Sequence, residues 1–66
     1  MTELTNRERQ VIHLIAEGLS NREIARRLNV SEATIKVHVH HMLLKLRTRN
    51  RTALAMLALS RVGEDR

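Results

Sequence analysis

Residues 20–46 carry the sequence SNREIARRLNVSEATIKVHVHHMLLKL, which predicts two helices joined by a three-residue turn. Ser20 and Glu23 have the spacing of a capping box, which begins a short helix with an apolar inner face. Asn29 is suited to a left-handed end of that helix, and Ser31 is suited to cap the next helix. A short capped helix, a tight turn and a longer helix form the plan of a helix-turn-helix.

The longer of these two helices, predicted for about residues 32–46, has two chemically different faces. Its inner face holds the apolar residues that recur at helical spacing, namely Ile35, Val39, Met42, Leu43 and Leu46. At about 100° per residue, the opposite face, called here the outer arc, holds Ala33, Lys36, Val37, His40 and Leu44. A face that contacts only water normally carries Glu and Lys. The mixed outer arc therefore favours contact with a ligand.

A further helix is predicted on the N-terminal side of this unit. Thr5 and Glu8 repeat the capping-box spacing, and Gly18 is placed to end the helix because glycine enters the left-handed conformation without strain. Aromatic residues, proline and cysteine are absent, and Ala, Leu, Arg and Glu favour helix. The fold class is therefore predicted to be all-α: four helices in a single bundle-like domain that covers residues 1–66.

The fourth helix is predicted for about residues 51–60, after a cap supplied by Asn50 or by Thr48. Its residues 53–59 are apolar on every side of the helix. A helix of this kind needs the core on one side and a second partner on the other. Another protomer is the natural candidate, which would make this helix a dimerisation helix.

The positive charge of the chain is concentrated in one segment. Residues 20–51 hold eight Lys or Arg against two Glu, a net charge of +6, while the segments before and after carry −1 and 0. A solvated basic surface is one explanation, but such a patch also attracts a polyanion, such as nucleic acid or an anionic lipid surface. Because the patch coincides with a helix-turn-helix, whose second helix fits the major groove, double-stranded DNA is the better candidate.

Other classes of function have little support in the sequence. Without a cysteine nucleophile, a glycine-rich loop or a catalytic pair of carboxylates, the chain is not expected to be an enzyme. His38 and His41 have a spacing that can share a metal ion, but no further suitable ligand is nearby, so neither a metal site nor a cofactor is expected. With no apolar run of about 18 residues and no signal-peptide pattern, we expect a cytoplasmic protein without membrane contact.

Three separated segments resemble the LuxR/FixJ-type DNA-binding domain. They are LTNRE at 4–8, IAEGLSNREIA at 15–25 and TIKVHV at 34–39. The resemblance extends over about residues 4–60 with matching spacing. That domain also ends NarL-like response regulators and stands alone in small GerE-like regulators. The resemblance implies four helices, of which the second and third form the helix-turn-helix. It also implies a sequence-specific transcription regulator that contacts DNA and forms a homodimer, with RNA polymerase as a further partner.

Carried over residue by residue, the resemblance implies three sets of contacts. The expected base-contacting residues in the major groove are Lys36, Val37 and His40. The expected phosphate-contacting residues are Asn21, Arg22, Thr34, Lys45, Arg51 and Thr52. The expected dimer-interface residues are Ala53, Met56 and Leu57.

Some positions depart from the pattern of similar domains. Arg47 stands where glycine is common, so the turn after helix three either differs or carries strain of about 1 kcal/mol. Leu44 stands where NarL-like members often have Lys, which removes one possible phosphate contact. Ala53 stands where a polar residue is usual, which makes the fourth helix more apolar and suits a dimer interface.

Two alternative functions remain open at this point. One is a reader of promoter elements similar to the last domain of a sigma factor, which also contains a helix-turn-helix. The other is a protein-interaction module that docks a partner through the apolar fourth helix. Salt distinguishes the second from DNA binding, because several charge contacts weaken steeply with ionic strength and apolar docking does not.

Overall fold

The computed structural model describes the backbone of residues 4–64 and the side chains of residues 4–60. This part of the chain contains four α-helices and no strand: α1 (Asn6–Ala16), α2 (Asn21–Leu28), α3 (Glu32–Lys45) and α4 (Arg51–Glu64). The predicted all-α class and the helix-turn-helix of α2 and α3 are confirmed. The fourth helix was predicted to end at about residue 60, but its backbone remains helical to Glu64, four residues further.

Three helices begin at the caps predicted from the sequence. At α1, the Thr5 hydroxyl accepts from the Glu8 N–H at 3.1 Å, and the Glu8 carboxylate accepts from the Thr5 N–H at 2.9 Å. At α2, Ser20 and Glu23 make the same pair of bonds, at 3.2 and 2.8 Å. At α3, the Ser31 hydroxyl accepts from the Thr34 N–H at 3.1 Å. Each cap satisfies a main-chain donor that would otherwise lack a partner.

The cap of α4 is Asn50. Its side-chain oxygen accepts from the N–H of Ala53 at 2.9 Å. The other residue considered for this cap, Thr48, has a buried hydroxyl that makes no hydrogen bond within the described part of the chain. The sequence left this choice open because Asn and Thr are both good cap residues.

Helices α1, α2 and α3 each end at a residue in the left-handed conformation. These residues are Gly18 with φ 96°, Asn29 with φ 58° and Arg47 with φ 53°. The N–H of the next residue then donates to a carbonyl five residues earlier: Leu19 to Leu14, Val30 to Ala25 and Thr48 to Leu43, at 3.0–3.1 Å. This is the Schellman arrangement, which closes a helix by satisfying its last carbonyls. At Arg47 the turn is therefore kept, although the residue is not glycine.

We predict that Arg47→Gly stabilises the domain. Removing the left-handed strain of Arg47 gains about 1–2 kcal/mol, and the greater freedom of glycine in the unfolded chain cancels about 0.5–1 kcal/mol of it. The net gain is then about 0.75 kcal/mol, which raises the melting temperature by about 3–6 °C. Thermal unfolding followed by circular dichroism measures this rise.

The matched control for this prediction is Arg49→Gly. Arg49 lies in the same connection, is exposed and does not have a positive φ. Glycine at position 49 only increases the conformational freedom of the unfolded chain, so the melting temperature of Arg49→Gly should fall. A fall of the same size for Arg47→Gly would show that the turn after α3 is not strained.

The core is formed by all four helices. Its completely buried large side chains are Val11 of α1, Ile24 of α2, Ile35 and Met42 of α3, and Leu54 of α4. Helix α1 packs against the other three helices, and α2 packs against α3. The predicted inner face of α3 is confirmed, because Ile35, Val39 and Met42 are buried while Leu43 and Leu46 pack against the core with partial exposure. Within residues 4–64, no helix combines the length and the apolar character that crossing a membrane requires.

Candidate nucleic-acid interface

The outer arc of α3 faces away from the protein. All five of its residues are exposed: Ala33, Lys36, Val37, His40 and Leu44. Two of them are large aliphatic residues, Val37 with 52% and Leu44 with 66% of its surface accessible. Since the opposite face of α3 is fixed in the core, the arc is presented by a rigid helix. The three predicted base-contacting residues, Lys36, Val37 and His40, therefore lie on one exposed face.

A second group of predicted contact residues lies where α2 and α4 begin. The guanidinium of Arg51, the first residue of α4, donates to the side-chain oxygen of Asn21, the first residue of α2. It also donates from Nη2 to the main-chain carbonyl of Leu19 at 2.5 Å. The exposed side chains of Arg22 and Thr52 directly follow these two positions. The fold thus brings two predicted phosphate-contacting residues that are 30 positions apart, Asn21 and Arg51, into direct contact.

The two remaining predicted phosphate-contacting residues lie at opposite ends of α3. Thr34 is exposed in the first turn, and its hydroxyl is 2.8 Å from the hydroxyl of Ser31. Lys45 is the last residue of the helix, and its ammonium donates to the Glu8 carboxylate at 2.7 Å. Lys45 is therefore in an ion pair with α1, a contact that the sequence analysis did not anticipate.

The Glu8 carboxylate is the one buried acidic group among the residues whose side chains are described, and 2% of its surface is exposed. Burial alone would raise the pKa of Glu8, because it penalises the charged form. The hydrogen bonds from Lys45 and from the Thr5 N–H, with the positive charge of Lys45, outweigh this effect and hold the pKa below its ordinary value. Glu8 is therefore ionised at neutral pH and joins the start of α1 to the end of α3.

The capping carboxylate of α2 is also held in its charged form. The hydrogen bond donated by the Ser20 N–H lowers the pKa of Glu23, and the nearby Ser20 hydroxyl and the charge of Arg26 add to this effect. Its negative charge lies at the positive end of the helix dipole. The role assigned to Glu23 from its spacing is confirmed by these contacts.

The sequence profile of bacterial regulatory proteins of the luxR family matches residues 2–58, which is most of the chain. The chain belongs to the luxR family. This confirms the resemblance inferred from the three sequence segments. With the helix-turn-helix of α2 and α3, membership identifies the chain as a DNA-binding regulatory domain.

Relatives of this luxR-family domain include proteins from two bacteria. It is 50% identical over 60 residues to the nitrate/nitrite response regulator protein NarP of Escherichia coli K12, covering 91% of the domain and 28% of NarP. It is 50% identical over 56 residues to the nitrate/nitrite response regulator protein NarL of the same strain, covering 85% of the domain and 26% of NarL. It is 47% identical over 57 residues to the uncharacterized transcriptional regulatory protein YhcZ of Bacillus subtilis 168, covering 86% of the domain and 27% of YhcZ. The chain thus spans just over a quarter of each relative.

The luxR-family domain has an exposed apolar surface on α4. Met56 and Leu59 have 65% and 57% of their surfaces accessible, while Ala53 and Leu57 are partly exposed. Leu54 and Ala58 of the same helix are buried in the core. Helix α4 therefore has one side buried in the core and an exposed apolar side. Leu59 was not among the predicted interface residues, because a helix that is apolar on every side does not show which residues face the core.

The histidines of α3 have different environments in the luxR-family domain. His38 is half-buried, and His40 and His41 are exposed with ring centroids 6.3 Å apart. Among the described residues, no three metal-binding side chains lie close enough to hold an ion. Of the three, His40 alone belongs to the outer arc.

Proposed function

We propose that this domain is the output domain of a transcription regulator and binds double-stranded DNA sequence-specifically, with α3 in the major groove. The observation that carries the proposal is the outer arc, an exposed mixed face on the second helix of a helix-turn-helix. A helix with side chains is about 10–12 Å across, and the major groove is about 12 Å wide. The +6 charge of residues 20–51 supports the approach of this surface to a polyanion.

Three exposed residues of the outer arc are proposed to contact bases. Lys36 can donate to the O6 and N7 acceptors of guanine, and Val37 can pack on the methyl group of thymine. His40 lies one turn after Lys36 and offers ring nitrogens that donate or accept hydrogen bonds. The chemistry of the arc therefore suits direct reading of base edges in the major groove.

Six residues are proposed to contact phosphates and to set the position of α3: Asn21, Arg22, Thr34, Lys45, Arg51 and Thr52. Two of them, Lys45 and Arg51, also make intramolecular contacts. An ammonium has three N–H donors and a guanidinium has five, so both keep donors for a phosphate. The N–H groups at the start of α2 and α4 add the positive end of two helix dipoles.

The exposed apolar surface of α4 is proposed to be a homodimer interface on DNA, formed by Ala53, Met56 and Leu57. Two domains related by a twofold axis would place their α3 helices in major-groove segments about one turn apart. Pairing two small modules raises affinity because the second contact becomes intramolecular. The surface is apolar and free on a helix that is otherwise fixed in the core, which supports this use.

Met56→Glu is predicted to weaken binding to a duplex that carries two inverted half-sites by about tenfold, through loss of the second, linked contact. Binding to a duplex with one half-site should change little, because Met56 lies outside the outer arc. Fluorescence anisotropy on the two duplexes measures both values. Equal weakening on both duplexes would contradict a dimer contact at this position.

A cytoplasmic location follows from the proposal, since bacterial chromosomal DNA lies in the cytoplasm. Contact with RNA polymerase is part of the same proposal for a transcription regulator. No catalytic role is proposed, because the function is carried by binding. The printed names of two relatives describe response regulators. We propose that this domain serves the same type of protein and delivers its output to DNA.

Docking of a different protein on α4 is the second candidate function, and the exposed Met56 and Leu59 favour it. A salt series of fluorescence anisotropy on mixed-sequence duplexes separates the two candidates. If Arg22, Lys45 and Arg51 each neutralise one phosphate, the logarithmic salt slope is about −2.7 per domain, and affinity falls about 40-fold for a fourfold rise in salt. Absence of DNA binding at low salt would reject the proposed function and favour protein docking.

A further inference from the structure

Arg51 connects the start of α4 to the start of α2 through two hydrogen bonds. Its guanidinium donates to the carbonyl of Leu19, in the loop between α1 and α2, and to the side-chain oxygen of Asn21. Both Arg51 and Asn21 are only partly exposed. One planar group therefore holds a main-chain and a side-chain acceptor that are two residues apart.

The chemistry of this contact fixes the orientation of the Asn21 amide. A guanidinium has donors only, so the amide atom that faces it must be the oxygen. The amide nitrogen is then directed away from Arg51 with two N–H donors for another acceptor. An asparagine without such a partner can present either its oxygen or its nitrogen to a phosphate, and only the nitrogen can bind one.

The first turn of α2 also has main-chain donors without an intrahelical acceptor. In the first turn of α2, the Glu23 N–H is bonded to the Ser20 hydroxyl and the Ile24 N–H to the Ser20 carbonyl. The N–H groups of Asn21 and Arg22 come first in the helix and have no intrahelical acceptor. These donors and the Asn21 amide share one end of α2, where the helix dipole favours an anion.

We propose that Arg51 is a positioning residue for phosphate binding: it orients the Asn21 amide so that its nitrogen donates to a DNA phosphate at the start of α2. The inference rests on the proposed function and adds a role for Arg51 beyond its charge. It also links α4 to the backbone contact that sets the position of α3 on DNA.

Arg51→Lys separates this role from a direct charge contact. Lysine keeps the positive charge but lacks the planar fork that binds two acceptors at once. If Arg51 orients Asn21, Arg51→Lys should lower DNA affinity about fivefold, as expected for the loss of about one hydrogen bond. Asn21→Ala should lower it by a similar factor, and the double variant should be no weaker than either single variant, because both changes remove the same contact.

The matched control is Arg9→Lys, which makes the same change at an exposed position of α1 and should bind DNA like the wild type. Fluorescence anisotropy on one duplex gives all affinities, and thermal unfolding checks that the variants are folded. Wild-type affinity for Arg51→Lys, or multiplied losses in the double variant, would overturn the inference. Wild-type protein that does not bind DNA at all would instead reject the proposed function on which it rests.

A measurement on the wild type tests the same inference without any variant. The side-chain amide of Asn21 gives its own pair of signals in a nitrogen–proton NMR spectrum. On addition of duplex DNA these signals should move, because the amide nitrogen becomes a hydrogen-bond donor to phosphate. Movement of the α3 signals with no change at the Asn21 side chain would overturn the inference while leaving the proposed function in place.

Discussion

Replacing Lys45 with methionine is expected to lower the free energy of unfolding at neutral pH by about 2 kcal/mol. The substitution leaves the Glu8 carboxylate, 3% exposed at its side chain, charged and without its cationic partner. Leaving a buried hydrogen-bonding group unsatisfied costs about 1–3 kcal/mol, and more when the group is charged. Breaking a fully buried ion pair costs about 3–5 kcal/mol. Lys45 retains 35% exposure, so the lower range applies. Urea unfolding followed by circular dichroism suits this chain, which has no aromatic fluorophore.

Glu8→Gln should be much less harmful than Lys45→Met. The glutamine oxygen still accepts from the Thr5 N–H, and the partly exposed ammonium of Lys45 can turn to water. Adding Glu8→Gln to Lys45→Met should therefore restore most of the lost stability, because no buried charge remains. Equal losses for the two single variants, or no recovery in the double variant, would contradict the role of Glu8 as the buried partner.

The difference between the wild type and Lys45→Met should also depend on pH. In the wild type the pKa of Glu8 is lowered from 4.5, so its stabilising effect is present above that value and disappears as the pH falls through the folded-state pKa. In Lys45→Met, burial dominates and the charged carboxylate is a cost, which protonation removes. The difference in stability between the two proteins should therefore begin to shrink above pH 4.5, as the carboxylate of the variant is protonated, and disappear as the pH falls through the lowered pKa of Glu8 in the wild type. The control is Glu17→Gln, which removes an exposed carboxylate at the C-terminal end of α1 and leaves the pair of Glu8 and Lys45 in place.

Replacing Lys36 with alanine is expected to remove much of the preference for a selected DNA sequence. A good contact to the correct base contributes about 1–3 kcal/mol of discrimination, which is about 5–150-fold in affinity. Lys36 is exposed on the outer arc, so its removal should leave the fold intact. Duplexes selected from a random library by the wild type should bind the variant only slightly better than unselected duplexes.

Arg22→Ala is the matched comparison for Lys36→Ala. Both variants lose one positive charge from an exposed position, but Arg22 is proposed to contact a phosphate. Its loss should weaken binding to selected and unselected duplexes alike and reduce the salt slope by about 1. If the two variants change sequence preference equally, α3 and α2 do not have the separate roles proposed for them.

Much of this structure could be predicted from the sequence because it depends on local rules. The capping boxes at Thr5 and Ser20 involve residues three positions apart, and the left-handed ends at Gly18 and Asn29 involve single residues. The two faces of α3 follow from helical periodicity. Each of these features is specified within one or two turns of the chain.

The long-range polar contacts could not be predicted in the same way. Arg51 and Asn21 are 30 positions apart, and Lys45 and Glu8 are 37 positions apart. Each of the four residues had a sufficient local explanation, as a cap or a phosphate contact, and nothing in the sequence pairs them. The packing of α1 against the other three helices brings these groups within hydrogen-bond distance.

If the exposed face of α3 reads base edges in the major groove, DNA affinity depends on the guanine atoms exposed in that groove, and base analogues measure this dependence. In a selected duplex, 7-deazaguanine removes a major-groove acceptor, and hypoxanthine removes the minor-groove amino group of guanine. We predict that 7-deazaguanine at the guanine contacted by Lys36 lowers affinity about tenfold, that hypoxanthine changes it little, and that Lys36→Ala abolishes the difference. A larger loss with hypoxanthine, or no loss with either analogue at any guanine of the site, would show that Lys36 of α3 does not read guanine in the major groove.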